Sequence, residues 1–374
     1  MPAPVLGSIV GQELAVAVLD HALAHEASHA YLFTGPRGTG KSDAALAFAA
    51  GLVCPSRGCG ECDTCGRVHR GIHPDVEVVS PDGVSILVGQ VREINREVAL
   101  RPFEAAARCY VILEAETMNE EAANAFLKTL EEPPSHVHFV LVTNAYEKVR
   151  PTIASRCQLV HFTRVPAVVL TDYLVRVLGV REGQAGVFAR VSQGSLAYAR
   201  LLATSPEARV RRERFLGWAR SIPASSMAEL EHMLDEIMDS SEEEAVRVAT
   251  GLETLRERDL EWAPDARARS RVQKAYDQRV KRERRRVAGD TLAEVRNVFA
   301  YWYRDMAAVA MGADDAVCNY DYLFELQREG TDSQVPAYLD AVRVAQRADH
   351  LFRYNVDARC ALEDMLLSLK EALR

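Results

Sequence analysis

The sequence contains no apolar run long enough to cross a bilayer. Its beginning, Met-Pro-Ala-Pro-Val-Leu-Gly, lacks the basic and apolar regions of a signal peptide. It also lacks an excess of positive charge, because the formal net charge is −8 and the pI is about 5.8. We therefore expect a cytoplasmic protein that does not bind a membrane. This charge argues against nucleic-acid binding by bulk charge, so any DNA contact would be local or shared with partner proteins.

Internal repeats and low-complexity tracts are also missing, and 374 residues with 48% apolar content are ample for two or three domains. Up to about Thr163, apolar strands alternate with amphipathic helices, which is typical of a parallel sheet with helices on both faces. Beyond Pro166 the strand signals stop. The pattern predicts an α/β domain at 1–163, a small helical domain at 164–205 and an all-helical domain at 206–374. The predicted strands are 30–34, 76–79, 109–113, 137–143 and 158–162.

The most informative motif is Gly35-Pro-Arg-Gly-Thr-Gly-Lys41-Ser42, which fits the phosphate-loop pattern G-x-x-x-x-G-K-[ST]. It lies between a predicted strand and a predicted helix, and these flanks disfavour the alternative of a chance match in a coil. The glycines let successive main-chain N–H groups face a phosphate. Lys41 would reach the β- and γ-phosphates, and the Ser42 hydroxyl would bind Mg²⁺. The residues predicted to bind ATP with Mg²⁺ are Gly35, Gly38, Thr39, Gly40, Lys41 and Ser42.

Four cysteines, Cys54, Cys59, Cys62 and Cys65, follow one another in the pattern C-x4-C-x2-C-x2-C. Four thiolates complete a tetrahedral zinc shell and leave no open position, so the site would be structural. An iron–sulfur cluster is the alternative, but the compact spacing and the lack of any other redox signature favour zinc. A reducing compartment argues against disulfides.

Two histidines, His69 and His73, come after this cluster and are interpreted as lying around the metal shell or at the surface. The remaining cysteines stand in apolar contexts and are expected in the core: Cys109, Cys157, Cys318 and Cys360.

The strand predicted at 109–113 lacks an acidic residue that a working phosphate-loop ATPase carries. Such a strand ends in Asp-Glu, where the Asp holds Mg²⁺ through water and the Glu polarises the attacking water. Here Leu113 stands at the Asp position and Glu114 at the Glu position, and the use of Glu114 and Glu116 instead would break the strand spacing. Because phosphoryl transfer depends on positioning and electrostatics, we expect little hydrolysis. Asn144, after the strand 137–143, would orient a γ-phosphate, with a plain turn residue as the alternative.

The segment 240–286 is strongly charged and ends in a basic run at 279–286. A contact with DNA or a partner is one interpretation of this run. A solvated helix face is the other, and the many neighbouring acidic residues favour it. The apolar stripe of the last helix, which includes Leu362, Met365 and Leu369, indicates a core or a subunit interface.

Two further motifs resemble bacterial DNA polymerase III clamp-loader subunits, which are members of the AAA+ class. They are Asn-Ala-Phe-Leu-Lys-Thr-Leu-Glu-Glu-Pro-Pro at 124–134 and Ser155-Arg156-Cys157. The phosphate loop, the four-cysteine insert behind it and Val10-Gly11-Gln12 are similar to the same family. The resemblance covers residues 1 to about 205. Beyond that, it depends on the all-helical character and on Tyr354-Asn355-Val356.

The resemblance implies an AAA+ nucleotide-binding domain with a zinc module at 54–65, then a helical lid and a helical collar that packs into a hetero-pentameric ring. Motor subunits of the gamma/tau type carry Asp-Glu where this chain has Leu113 and Glu114. They also carry an arginine that senses the γ-phosphate at the position of Ala197, whereas here Arg200 lies one turn further on. Both departures resemble the delta-prime type, which does not hydrolyse ATP, although the full phosphate loop leaves ATP binding open.

The same resemblance implies that Arg156 is an arginine finger, offered in trans to the ATP of a neighbouring subunit. An internal salt bridge is the alternative role for this side chain. An arginine suits a finger because its charge is permanent and its planar fork matches phosphate oxygens.

The implied partners are gamma/tau and delta subunits, the sliding clamp and, through the complex, primer–template DNA. The chain would be a component of the polymerase holoenzyme with weak or absent ATPase activity of its own. It would not be the polymerase, because it shows no carboxylate pair for two-metal chemistry. Two alternatives stay open: the chain is itself an ATPase motor, or it is a zinc-dependent nucleic-acid-binding protein.

Overall fold

A computed structural model describes residues 3–263, 265–353 and 357–374, except for the side chains of 349–353. The Tyr354-Asn355-Val356 motif therefore lies outside the described residues. None of the described helices is both long and apolar enough to cross a membrane.

The α/β region is built on one sheet of short apolar strands. The strands are β1 (Ala30–Thr34), β2 (Val76–Val79), β3 (Arg108–Ile112), β4 (Val137–Thr143) and β5 (Gln158–His161). They are all parallel and lie in the order β2-β3-β4-β1-β5. Three strands have the predicted bounds, whereas β3 begins and ends one residue earlier than predicted and β5 ends one residue earlier. In this order β4 lies between β1 and β3, so the ends of these three strands meet at one edge of the sheet.

Alternation of side chains along each strand divides the core of this region into two layers. Tyr31 and Phe33 of β1 pack in one layer together with Phe48. Leu32 packs in the other layer together with Phe126. Helices lie on both faces of the sheet, and the predicted fold class, an α/β phosphate-loop domain followed by helices, is confirmed.

Helices make up most of the remaining chain. In the described part they are α1 (Glu13–Ala24), α2 (Lys41–Val53), α3 (Asp63–Arg70), α4 (Val88–Glu97), α5 (Glu120–Glu131), α6 (Pro151–Ala154), α7 (Ala167–Arg176), α8 (Glu182–Val191), α9 (Leu196–Thr204), α10 (Pro206–Ser221), α11 (Met227–Glu261), α12 (Ala266–Ala310), α13 (Leu323–Glu329), α14 (Val335–Arg353) and α15 (Ala358–Ala372).

The chain forms two compact units that do not follow its sequence order. The first comprises Met1–Tyr173, Gly194–Tyr198 and Leu255–Arg282. The second comprises Leu174–Gln193, Ala199–Thr254 and Glu283–Arg374. The sequence-based division at 163 and 205 stays a prediction. The adjoining ends of α11 and α12, named here the hairpin tip (255–282), belong to the first unit although they lie far along the chain.

The second unit is a helical bundle with its own apolar core. Trp302 and Phe299 of α12 are buried there, together with Phe215 of α10. The stripe of α15 is buried in the same core, with Leu362 and Leu369 fully inaccessible. Within this unit, that stripe is therefore core.

The basic run at 279–286 makes ion pairs along its own helices. Arg286 pairs with Glu283 at 2.8 Å and with Asp290 at 2.7 Å, and Arg284 pairs with Glu242 of α11. These pairs favour the interpretation of a charged, solvated helix face over that of a dedicated DNA contact.

Candidate nucleotide and metal sites

The phosphate loop, residues 35–42, is a tight turn between β1 and α2. Gly35, Gly38 and Gly40 have positive φ angles of +147°, +80° and +89°, which glycine adopts without strain. A Cβ on Gly35 would lie 2.1 Å from the carbonyl oxygen of Phe162, so no other residue fits there. Because α2 begins at Lys41, its first N–H groups have no partner inside the helix and can bind an anion.

Gln12, from the Val10-Gly11-Gln12 motif, holds the phosphate loop against the end of β5. Its buried side chain exchanges two hydrogen bonds with Thr163: Nε2 donates to the carbonyl oxygen at 2.7 Å, and Oε1 accepts from the main-chain N–H at 3.0 Å. Nε2 also lies 3.4 Å from the carbonyl oxygen of Thr39. The Thr39 hydroxyl donates to the carbonyl of Pro36 at 2.9 Å, so Thr39 is part of the framework of the loop.

Lys41 is buried and turned back on its own loop. Its Nζ donates to the carbonyl oxygens of Gly35 at 2.8 Å and of Pro36 at 2.6 Å. Burial lowers the pKa of Lys41 to about 8, while the Glu116 carboxylate acts in the opposite direction. Ser42 follows at the start of α2 and is exposed. The loop thus brings together the ammonium group and the hydroxyl that the motif predicts.

The strand end beside the loop carries no acidic residue at the metal position. Leu113 packs against the apolar layer of Phe33 and Phe48, and its N–H donates to the carbonyl of Val79 at 2.9 Å. Glu114 follows with a left-handed backbone, φ +53°, which is uncommon for a residue other than glycine. It precedes a single 3-10 turn, Ala115–Thr117.

Glu116, whose use as a metal ligand would break the predicted strand spacing, lies in this turn. It is the acidic side chain whose charge acts on Lys41. Its Oε1 accepts a hydrogen bond from the main-chain N–H of Asn144 at 3.1 Å. Asn144 is exposed directly after β4, so the end of β4 carries both this contact and the residue predicted to orient a γ-phosphate. Only the sheet order reveals the contact, because the two residues belong to different strand ends.

The first turn of α9 lies directly on the phosphate loop, within the first unit. The main-chain N–H of Ala197 donates to the carbonyl of Gly38 at 3.1 Å. A Cβ on Gly38 would lie 2.2 Å from the Ser195 hydroxyl oxygen. Residue 197 therefore sits at the phosphate loop, and alanine supplies no charge there.

Arg156 follows α6 and is held at the surface by a carboxylate. Its Nη2 donates to Oε1 of Glu131, the last residue of α5, and its Nη1 donates to the carbonyl of Thr152 at 2.9 Å. The Arg156 side chain is 34% exposed and that of Glu131 is 48% exposed. The internal salt bridge considered from the sequence is therefore present, and the role of Arg156 as a finger stays a prediction.

The four cysteines after α2 converge on one point. The Sγ of Cys54 lies 3.7 Å from that of Cys62 and 4.0 Å from that of Cys59. All four ligand atoms, including that of Cys65, lie within 4.8 Å of one another. Zinc–sulfur bonds of about 2.3 Å place the sulfurs of a tetrahedron about 3.8 Å apart. The cluster therefore fits a zinc ion, and Cys62 also caps the N-terminus of α3, which begins with the next residue.

The thiols of the cluster differ in pKa. Burial opposes ionisation of Cys54, but main-chain N–H groups around it outweigh burial and lower its pKa to about 6. Burial raises the pKa of Cys65 to about 12. Cys54 thus offers a thiolate at neutral pH, which is the form that binds a metal.

Some neighbouring residues differ from expectation. His69 is exposed, but His73 is buried and its Nε2 lies 3.0 Å from Oε1 of Glu104.

Cys109 and Cys318 are buried as expected. The expectation of a core position is wrong for Cys360, which is exposed near the start of α15, and Cys157 is only partly buried. A residue early in an amphipathic helix can face solvent even when apolar residues follow it.

Comparison with known proteins places the α/β region in a family. The profile of the family described as "DNA polymerase III, delta subunit" matches residues 11–166. The delta' subunit of DNA polymerase III from Bacillus subtilis is 40% identical over 151 residues, which are 40% of this chain and 46% of that protein. Residues 11–166 therefore match the family of DNA polymerase III clamp-loader subunits.

Both subunit types of this clamp-loader family match the chain. The tau subunit of DNA polymerase III from Bacillus subtilis is 36% identical over 201 residues, which are 50% of this chain and 35% of that protein. The chain spans less than half the length of these two curated relatives. The match therefore assigns the family without separating delta' from tau.

Solved structures with similar folds superpose only weakly on this chain. A gamma subunit-related protein of DNA polymerase III from Thermotoga maritima has a TM-score of 0.40 and 16% identity, over 96% of this chain and 100% of that one. The RuvB Holliday junction branch migration motor of the same organism has a TM-score of 0.39 and 18% identity, over 56% of this chain and 64% of that one. Scores of this size add nothing to the family assignment.

Proposed function

We propose that this chain is a delta-prime-type subunit of a bacterial clamp loader, a partner that completes the ATPase site of a neighbouring motor subunit. Its companions would be gamma/tau and delta subunits in a hetero-pentamer. The assembly would open a sliding clamp and place it on primer–template DNA in the cytoplasm. The four cysteines would hold a structural zinc ion, and the phosphate loop would hold ATP with Mg²⁺.

The observation that carries the proposal is Leu113. Its apolar, partly buried side chain packs against the core at the strand end where a motor subunit needs a carboxylate. The alanine at residue 197, against the loop, supports the same conclusion, because it leaves the γ-phosphate without a sensing arginine at that position. Hydrolysis depends on such charges, so the chain's own site is poorly equipped for it.

Arg156 supports a role toward a neighbour. An exposed ion pair contributes about 1 kcal/mol or less to stability, so the guanidinium can leave Glu131 for a phosphate at little cost. A trans arginine finger raises the rate of phosphoryl transfer by roughly 10³–10⁵. In an assembled loader, the stabilisation of the transition state by Arg156 would therefore outweigh the loss of its pair with Glu131.

The test is the ATPase rate of the reconstituted loader with Arg156→Ala in this chain. We expect at least a tenfold loss of the clamp- and DNA-stimulated rate, with the melting temperature of the isolated chain nearly unchanged. The matched control is Arg150→Ala, because Arg150 is an exposed arginine on the same segment that pairs with Glu120 at 3.4 Å. Equal rates for Arg156→Ala and the unmodified loader would remove the finger assignment.

One observation favours a second candidate, a gamma/tau-like ATPase motor: the phosphate loop is complete, with Lys41 and Ser42 in place. This candidate requires ATP turnover by the isolated chain that Lys41→Ala abolishes. The delta-prime-type proposal requires that such turnover stay at background.

A further inference from the structure

Glu116 occupies a place in the nucleotide site that no motif assigns to it. The 3-10 turn after β3 carries this side chain to the end of β4, where Oε1 accepts the Asn144 N–H at 3.1 Å. Its second oxygen, Oε2, is buried and accepts no hydrogen bond from any of the described residues. One oxygen of the carboxyl is thus hydrogen-bonded, and the other is buried without a donor.

An open carboxylate oxygen inside a protein is costly unless a donor or a cation meets it. Burial raises the pKa of Glu116, although main-chain N–H groups and the Thr143 hydroxyl act against this. The position therefore favours a donor or a cation at Oε2 in any state in which Glu116 is ionised.

Lys41 is a cation whose pKa responds to the charge of Glu116, but its ammonium group is hydrogen-bonded elsewhere. Its Nζ donates to the carbonyl oxygens of Gly35 and Pro36. A phosphate in the loop would draw the same ammonium group to its own oxygens, which leaves Glu116 without a partner. A magnesium ion that accompanies the phosphate meets this need, since Mg²⁺ prefers carboxylate oxygens.

We propose that Glu116 supplies the acidic oxygen that holds the magnesium ion of a nucleotide in the phosphate loop, in place of the carboxylate missing at Leu113. The inference rests on the nucleotide site of the proposed function and is independent of the trans role of Arg156. It explains how a chain with leucine at the metal position retains a complete phosphate loop. Glu116 would restore the binding of the magnesium ion, while Ala197 still supplies no charge for hydrolysis.

The experiment is an equilibrium titration of the full chain with a fluorescent ATP analogue, in Mg²⁺ and in EDTA. The measured quantity is the Mg²⁺ enhancement, the ratio of the two dissociation constants. We expect Glu116→Gln to reduce this ratio at least tenfold, with the affinity in EDTA unchanged or higher, because glutamine keeps the acceptor for Asn144 but loses the charge. The matched control, Glu147→Gln, changes an exposed carboxylate in the turn after β4 and should keep the unmodified ratio.

Leu113→Asp gives a test that does not depend on the folding of the Glu116 variant. If Glu116 already holds the metal, an added aspartate changes the Mg²⁺ enhancement less than threefold. A tenfold rise would show that the metal position was vacant and would overturn the proposal. The proposal also fails if Glu116→Gln keeps the unmodified ratio, if Glu147→Gln loses as much, or if the unmodified chain binds no nucleotide. None of these outcomes changes the Arg156 test, so the two failures are distinguishable.

Discussion

At the scale of single residues, Lys41 shows that the nucleotide site is kept at the expense of stability. Its ammonium group is buried, and burial lowers its pKa from 10.5 to about 8. Below pH 8 the group is charged in both the folded and the unfolded chain, so the burial cost is fully present. As pH rises from 8 to 10.5 the folded chain binds fewer protons than the unfolded chain, and the cost disappears.

We therefore expect Lys41→Met to stabilise the nucleotide-free chain at pH 7 by about 1–3 kcal/mol, since one pKa unit corresponds to about 1.4 kcal/mol. The gain should shrink as pH rises from 8 toward 10. Urea denaturation at pH 7 and pH 9.5 measures both effects.

The control for this prediction is Lys128→Met, because Lys128 on α5 is exposed. It should show neither the gain at pH 7 nor its decline with pH. Destabilisation by Lys41→Met at pH 7, or a gain that does not change with pH, would contradict the account.

Residues whose role depends on local geometry could be predicted from the sequence. Gly35 and Lys41 follow from a spacing that any phosphate loop requires. Glu116 could not be predicted, because its contact with Asn144 exists only once β3 and β4 lie side by side. The pairing of Arg156 with Glu131 is of the same kind, since 25 residues separate the two side chains in the chain.

At the scale of elements, α3 links the four-cysteine cluster to the hairpin tip. Its N-terminal cap is the metal-ligand candidate Cys62. At its other end, Nε of Arg70 lies 3.2 Å from Oδ2 of Asp259, and Nη1 of Arg279 donates to the Arg70 carbonyl at 2.8 Å. The buried Tyr276 hydroxyl donates to the same Asp259 at 2.7 Å. The position of the tip therefore depends on an element that a zinc ion in the four-cysteine cluster would hold in place.

Loss of the metal should destabilise both α3 and the hairpin tip. In Cys62→Ser we expect the zinc content to fall from one ion per chain to nearly none, because three thiols no longer close a tetrahedron. Amide hydrogen exchange should rise in α3 and also in 255–282, while β1 and β4 stay protected. Elemental analysis and exchange mass spectrometry measure the two effects.

Cys360→Ser is the control, since Cys360 is exposed and lies outside the cluster. It should retain both the zinc and the exchange pattern. A metal-free Cys62→Ser chain in which 255–282 exchanges at the unmodified rate would contradict the linkage, and so would an unmodified chain without zinc.

The elements of the sheet could be predicted almost completely, because buried parallel strands are continuous apolar runs bounded by turn residues. The position of the hairpin tip could not be predicted. The sequence pattern predicts that 206–374 is all-helical, but it carries no information on which distant surface Asp259 and Tyr276 contact. Long-range placement of this kind depends on polar pairs that no pattern specifies.

At the scale of the whole molecule, the proposed function assigns to separate residues two roles that a motor subunit combines. In the proposed function, the phosphate loop would hold ATP, while Arg156, outside the loop, would act on the ATP of another subunit. Leu113 and Ala197 would leave the first of these functions without hydrolysis. The negative net charge of −8 agrees with a chain that relies on an assembly to reach DNA.

The most direct test of this account measures ATP binding and steady-state ATP turnover on the isolated full chain, in the same buffer with Mg²⁺. The account predicts saturable binding that Lys41→Ala abolishes, together with turnover no greater than that of the Lys41→Ala chain. Turnover well above that background, lost with Lys41→Ala, would contradict it and identify the chain as a motor.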